Sequence, residues 1–90
     1  MLHALKTIQP YFSEVKSGKK NFELRKFDRP YKEGDDIVLQ EWDNDKQEYT
    51  GDEVKAVITY ILKDVPKYGL KDGYCILGIA EKVNALPHTN

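Results

Sequence analysis

The chain is nearly free of cysteine. Cys75 is the only one among 90 residues, which excludes an internal disulfide and a multi-cysteine zinc site. A reducing, cytoplasmic location is the expectation that follows. Cys75 lies in the apolar run Tyr74-Cys75-Ile76-Leu77, where a buried, inert thiol is expected. Long apolar runs are also missing. None approaches the roughly 20 residues that cross a bilayer, and Met1 to Lys6 lacks the apolar core of a signal peptide, so no membrane role is expected. Histidine is scarce: His3 and His88 stand far apart, a poor basis for a metal site. The acids of the middle segment do not follow the calcium-loop spacing. No metal and no cofactor is expected. Repeats and low-complexity stretches are absent too.

Net charge is small, with 14 Lys and Arg against 15 Asp and Glu, which argues against a general polyanion binder. Hydrophobic residues at 40% and charged residues at 32% describe a polar globular domain rather than a disordered chain. The length allows one small domain. We expect it over residues 1–83, followed by a flexible tail at 84–90 that contains Pro87.

The charge is unevenly placed. Residues 1–34 carry eight Lys or Arg against four Asp or Glu, whereas residues 35–53 carry one Lys against eight acids. Two surfaces of opposite sign are expected, the acidic one open to a basic protein partner. The basic segment is densest from Lys16 to Lys32, where Phe22, Phe27 and Tyr31 interleave with the cations. Cations and aromatics together suit phosphate contact and base stacking. An ordinary solvated face is the competing reading.

Hydrophobic patterning predicts mostly strands. His3 to Ile8 alternates as a strand. Pro10 suits the first position of a helix over 10–17, with Tyr11, Phe12 and Val15 on one face and Gly18 as its stop. Asn21 to Phe27 reads as a strand with Glu23 and Arg25 on one face and Phe22 and Leu24 on the other; Arg29-Pro30 ends it. Asp36 to Trp42 follows a turn at Glu33-Gly34-Asp35. Gln47 to Thr50 pairs back, and Glu53 to Leu62 is the longest strand. Asp64 to Gly73 is a loop. Tyr74 to Val83 is apolar on both faces and therefore central. Five or six strands and one early helix predict a mostly β (α+β) fold, a small closed or nearly closed barrel.

The chemistry concentrates between Gly18 and Arg29 and at Glu41. Glu23 and Arg25 share a strand face, and Lys20 precedes them in a loop that brings its ammonium near. The Arg offers a planar fork, the Lys a point charge and the Glu an acceptor. Such a trio holds a polar or anionic ligand, or performs acid–base work where burial moves a proton. Glu41 falls on the face of Ile37 and Leu39 if the strand is regular. A carboxylate there needs a partner, for which Arg25 and Arg29 are candidates; a strand end open to solvent is the alternative. For His3 a structural hydrogen bond is expected, and for Trp42 rim packing, with base stacking as the alternative.

Gly18-Lys19-Lys20-Asn21-Phe22-Glu23-Leu24-Arg25 resembles the G-x-K-x-x-E-x-R pattern of the ASCH domain family, a branch of the PUA-like superfamily. His3 to Lys6, Pro10 to Phe12, Asp28-Arg29, Gly34-Asp35, Glu41-Trp42 and Tyr49 to Gly51 resemble small bacterial and phage proteins of that family, over about residues 3–80. The resemblance implies a small PUA-like β-barrel with a helix before the motif strand, and a cleft for RNA or a nucleotide-like ligand. Lys20, Glu23 and Arg25 would face the cleft, and Asp28, Arg29 and Glu41 would border it. Some ASCH-like proteins resemble amidohydrolases that remove the acetyl group of acetylcytidine with a lysine, a threonine and a downstream glutamate. In that pattern the threonine stands where this chain has Glu23, so the hydroxyl nucleophile is missing at that position. RNA or modified-nucleotide binding is therefore the leading expectation. The alternative is a small hydrolase of amidohydrolase or ribonuclease type, with Lys20, Glu23 and Glu41 as candidate catalytic groups.

Overall fold

The computed structural model describes residues 1–82; the expected tail at 84–90 and the last residue of the expected final strand, Val83, lie outside them. Five strands form one sheet: β1 (Leu2–Thr7), β2 (Phe22–Lys26), β3 (Asp36–Asp43), β4 (Glu48–Lys63) and β5 (Tyr74–Glu81). A short helix, α1 (Tyr11–Lys16), lies between β1 and β2. The strand order is β1-β3-β4-β5-β2. Only β1 and β3 run parallel; the other three pairings are antiparallel. The sheet curls as a half-barrel, with β1 and β2 as its edges.

Alternation sets the concave face. His3, Leu5 and Thr7 are buried on β1 while their neighbours are exposed. Ile37 and Leu39, Val54, Ala56 and Ile58, and Cys75, Leu77 and Ile79 continue that buried layer across β3, β4 and β5. Helix α1 adds Phe12 and Val15 to the same core. Burying Phe12, left 1% exposed, stabilises by about 2–3 kcal/mol. Tyr11, expected on that helical face, is exposed. Positions 11 and 12 flank Val15 by angle on a 3.6-residue helix, and the packed stripe takes only one of the two.

Pro10 stands one position earlier than expected, as the N-cap. Gly18 ends the helix with φ of +86°, and its N–H donates to the Val15 carbonyl at 3.0 Å, which suits a residue lacking Cβ. Gln47 to Thr50 and Glu53 to Leu62 are not two strands. They belong to the single 16-residue β4, because Gly51, with φ of +95°, lets the chain bend without leaving the ladder. β5 is internal, between β4 and β2, as its apolar character predicts. No helix among the described residues is long and apolar enough to cross a membrane.

Candidate functional site

The site lies where the two edges of the curled sheet approach. No ladder joins β1 to β2. Instead Arg25 on β2 donates through Nη2 to the Lys6 carbonyl of β1 at 2.7 Å and to Thr7 Oγ1 at 3.4 Å. Further along, Arg29 Nη1 lies 3.5 Å from the Ala4 carbonyl. The acceptors are the carbonyls that β1, as an edge strand, turns away from β3. Arginine side chains thus satisfy an edge that would otherwise recruit another strand.

The Gly-x-Lys spacing positions the lysine. After the turn at Gly18 the Lys20 N–H donates to the Glu14 carbonyl at 2.9 Å. That contact brings the Lys20 ammonium to Glu23 Oε2 at 2.9 Å and the Phe22 carbonyl at 2.7 Å. Glu23 is 4% exposed, and its Oε1 lies 3.6 Å from Arg25 Nε. The expected trio is therefore assembled, with a buried carboxylate held between two cations. Donors remain. An ammonium has three N–H groups and a guanidinium five, more than these contacts use.

A cleft of about 590 Å³ opens on the trio, lined by Lys6, Thr7 and Ile8 of the β1 edge, Tyr11 of α1, and Lys20 with residues 22–25 of the β2 side. Three cations and one carboxylate give its lining a formal surplus of positive charge. Phe22, Leu24 and Tyr11 are exposed, at 44, 57 and 51%, and supply apolar walls. Lys20 Nζ lies 4.9 Å from the centre of the Phe22 ring. The sequence reading missed Lys6, Thr7, Ile8, Tyr11 and Leu24. The signal for Tyr11 was its place at the margin of the helical stripe. Thr7 carried none, because its role depends on Arg25 reaching across from the opposite edge.

Other expected residues fall outside the cleft. Asp28 is exposed and does not line it. Arg29 stands beside it at the seam, 6.0 Å from the Tyr31 ring centre. Glu41 does not pair with Arg25 or Arg29. It keeps the face of Ile37 and Leu39, opposite Thr7 in the β1 ladder. It accepts from Gln9 Nε2 at 2.6 Å and from Thr50 Oγ1 at 2.8 Å, because the extra residues of β4 between Tyr49 and Glu53 bring Thr50 to it. It lines a separate hollow of about 300 Å³ with Gln9, Trp42 and Asp43. Ile8 lines both spaces. Trp42 packs edge-on against Tyr49 at 4.9 Å, with Lys6 Nζ 3.8 Å above its ring, the rim packing expected of it.

Two of the interleaved aromatics are structural. Tyr31 is buried, and Phe27 packs against the core under Lys63 Nζ at 3.9 Å. Burial pushes the Tyr31 hydroxyl pKa up, with Arg29 and Arg25 pulling the other way. Burial likewise raises the Cys75 thiol, which keeps it protonated and inert. His3 is buried on β1, with a ring nitrogen 2.8 Å from Asp35 Oδ2. Asp35 also accepts from the Lys32 N–H at 3.0 Å, closing the expected turn. The His3 hydrogen bond holds the Asp35 carboxyl below the usual carboxylate range.

The acidic segment is largely engaged within the fold. Asp36 pairs with Lys82 at 2.9 Å and Asp52 with Lys16 at 2.6 Å. Asp43 accepts the backbone N–H groups of Asp45 and Lys46.

Residues 2–79 match the family described as "Domain of unknown function (DUF3850)". The chain belongs to this family. The match covers every residue that lines the seam cleft. The chain is also similar to the "Uncharacterized 12.9 kDa protein in GpA 3'region" of Escherichia phage P2. Identity is 43% over 58 residues, 64% of this chain and 51% of that protein. The chain thus spans about half the length of this curated relative.

Proposed function

We propose that the seam cleft binds a nucleotide, free or within RNA, as in the ASCH-like proteins whose motif this chain resembles. One observation carries the reading: Lys6, Lys20 and Arg25 share the cleft with the exposed rings of Tyr11 and Phe22. The cations suit a phosphate, with leftover N–H donors directed by a buried carboxylate. The rings suit a base, since every base presents a π-face. The volume lies within the range of small-ligand sites.

A hydrolase is the second reading. Thr7 brings a hydroxyl into the cleft, though not from the motif strand. Two contacts speak for binding over turnover. Arg25, which faces that hydroxyl, is permanently charged and cannot accept its proton. Lys20 is committed to Glu23 and to the Phe22 carbonyl. The acidic segment offers a further contact, to a basic protein, through Asp45 and Glu48, both exposed on the β3–β4 hairpin.

The test is calorimetric titration with nucleosides, modified nucleosides and short single-stranded RNA and DNA, with product assayed in the same samples. Binding without product, lost in Lys20→Ala, supports the reading. Product from an acetylated nucleoside supports the hydrolase instead. Absence of binding across the panel contradicts both.

A further inference from the structure

The alternation that turns Glu23 and Arg25 inward turns Phe22, Leu24 and Lys26 outward. The ladder carries this across three strands. Phe22 stands opposite Gly78, and Gly78 opposite Tyr60; Leu24 stands opposite Ile76, and Ile76 opposite Leu62. Tyr60 is 60% exposed and Leu62 37%, beside the exposed Phe22 and Leu24. Contiguous apolar exposure of this kind marks a binding surface.

The first row has a particular shape. Strands two apart in a sheet lie about 9.5 Å from each other, and Gly78 adds no side chain of its own between Phe22 and Tyr60, where the Thr59 side chain leans over it. Aromatic pairs sit with centroids about 4.5–7 Å apart, so the row admits one flat ring between its two walls. A bulge between Ile58 and Tyr60 turns both Thr59 and Tyr60 outward. A Cβ at position 78 would lie 2.9 Å from Thr59 Oγ1, so a hydroxyl stands at the floor of the slot.

Charge narrows the occupant. Among the described residues, no carboxylate points outward from 22–26, 74–78 or 59–62; Glu23 is the one acid in these spans, and it is buried. Lys26 stands opposite Tyr74 at the end of the face, and Lys71 Nζ lies 5.9 Å from the Tyr74 ring centre. Aromatic walls, a hydroxyl and cations are features that hold single-stranded nucleic acid, and the carboxylate beside this face, Glu33, is taken up by the Ile61 N–H at 3.2 Å. Phe22 joins this face to the seam cleft, which it also lines.

We infer that a single-stranded polynucleotide, held by phosphate in the seam cleft, continues over Phe22 onto the outer face and places one base between Phe22 and Tyr60. The inference rests on the nucleotide-binding reading of the cleft and adds that the ligand is a strand.

The probes are the four ribonucleoside 5′-monophosphates and a mixed-sequence single-stranded RNA of about ten nucleotides, a length typical of such sites. Wild type binds the RNA more tightly than the monophosphates. Tyr60→Ala weakens RNA binding on the order of ten-fold and leaves monophosphate binding unchanged, whereas Lys20→Ala weakens both. Unchanged RNA affinity in Tyr60→Ala overturns the inference while the cleft reading stands. Failure of wild type to bind either probe overturns both. A wild-type dimer in sedimentation that Tyr60→Ala disperses overturns it in favour of a second copy on this face.

Discussion

Arg25 reaches across from β2 to the Lys6 carbonyl of β1 at 2.7 Å, so a side chain and not a ladder draws the two edges of the sheet together. This contact makes a cleft of the seam, and it places a guanidinium beside the Lys20–Glu23 pair. Under the proposed reading, stability and ligand contact meet in this one residue.

Arg25→Lys keeps the charge and loses the fork. The hydrogen bond to the β1 carbonyl goes with it, at a cost of about 1–2 kcal/mol. Urea denaturation reads the cost as a lower midpoint with an unchanged slope. Nucleotide affinity falls in the same variant.

Glu23→Ala leaves Lys20 and Arg25 side by side without their carboxylate. The expected loss is about 2–4 kcal/mol, toward the lower part of the range for a broken buried pair, since the Lys20 side chain retains 15% exposure. The double variant with Lys20→Ala loses less than the sum of the single variants. A double-mutant cycle by denaturation measures that coupling.

Phe22→Ser and Leu24→Ser separate function from fold. Both side chains are exposed, so each substitution changes stability by no more than about 0.5 kcal/mol while lowering nucleotide affinity. Phe12→Ala, within the core, costs about 3–5 kcal/mol. Thermal melts and calorimetric titration of the same samples distinguish the two classes.

Acid sensitivity centres on Asp35. Its folded pKa lies below the unfolded value of 3.8, chiefly through the His3 hydrogen bond. The stability it contributes is therefore fully present above that value and is lost as pH falls through the lower, folded pKa. Asp52, lowered by Lys16, adds in the same direction from an exposed pair. Asp35→Asn flattens the acid limb of stability against pH, measured as the urea midpoint from neutral pH down to about 2.

Much of this architecture was legible. Alternation in β1 and β2, the apolar run of β5 and the glycine after α1 are local signals, and each element formed near its expected place. The motif trio was legible because two of its members share a strand face and the third is set by one glycine turn. What sequence parity does not carry is the direction of a face. On β2 the charged side turns inward and the apolar side outward, the reverse of the usual burial preference. Glu41 does lie on the face of Ile37 and Leu39, but its partners are Gln9, outside the strands, and Thr50, set by the irregular part of β4, which strand parity does not carry. Tyr31 reads as a surface aromatic among cations, yet the turn after Arg29-Pro30 folds it under His3, with ring centres 4.8 Å apart. The seam itself has no signature, since its acceptors are backbone carbonyls distant in the chain.

The most direct measurement is a two-dimensional amide NMR titration of the protein with short single-stranded RNA. The account predicts shifts confined to residues 6–8, Tyr11, residues 20–25 and the outer row at Tyr60 and Gly78, with the 43–48 hairpin unmoved. Shifts at the hairpin alone, or a spectrum unchanged at saturating RNA, would contradict it.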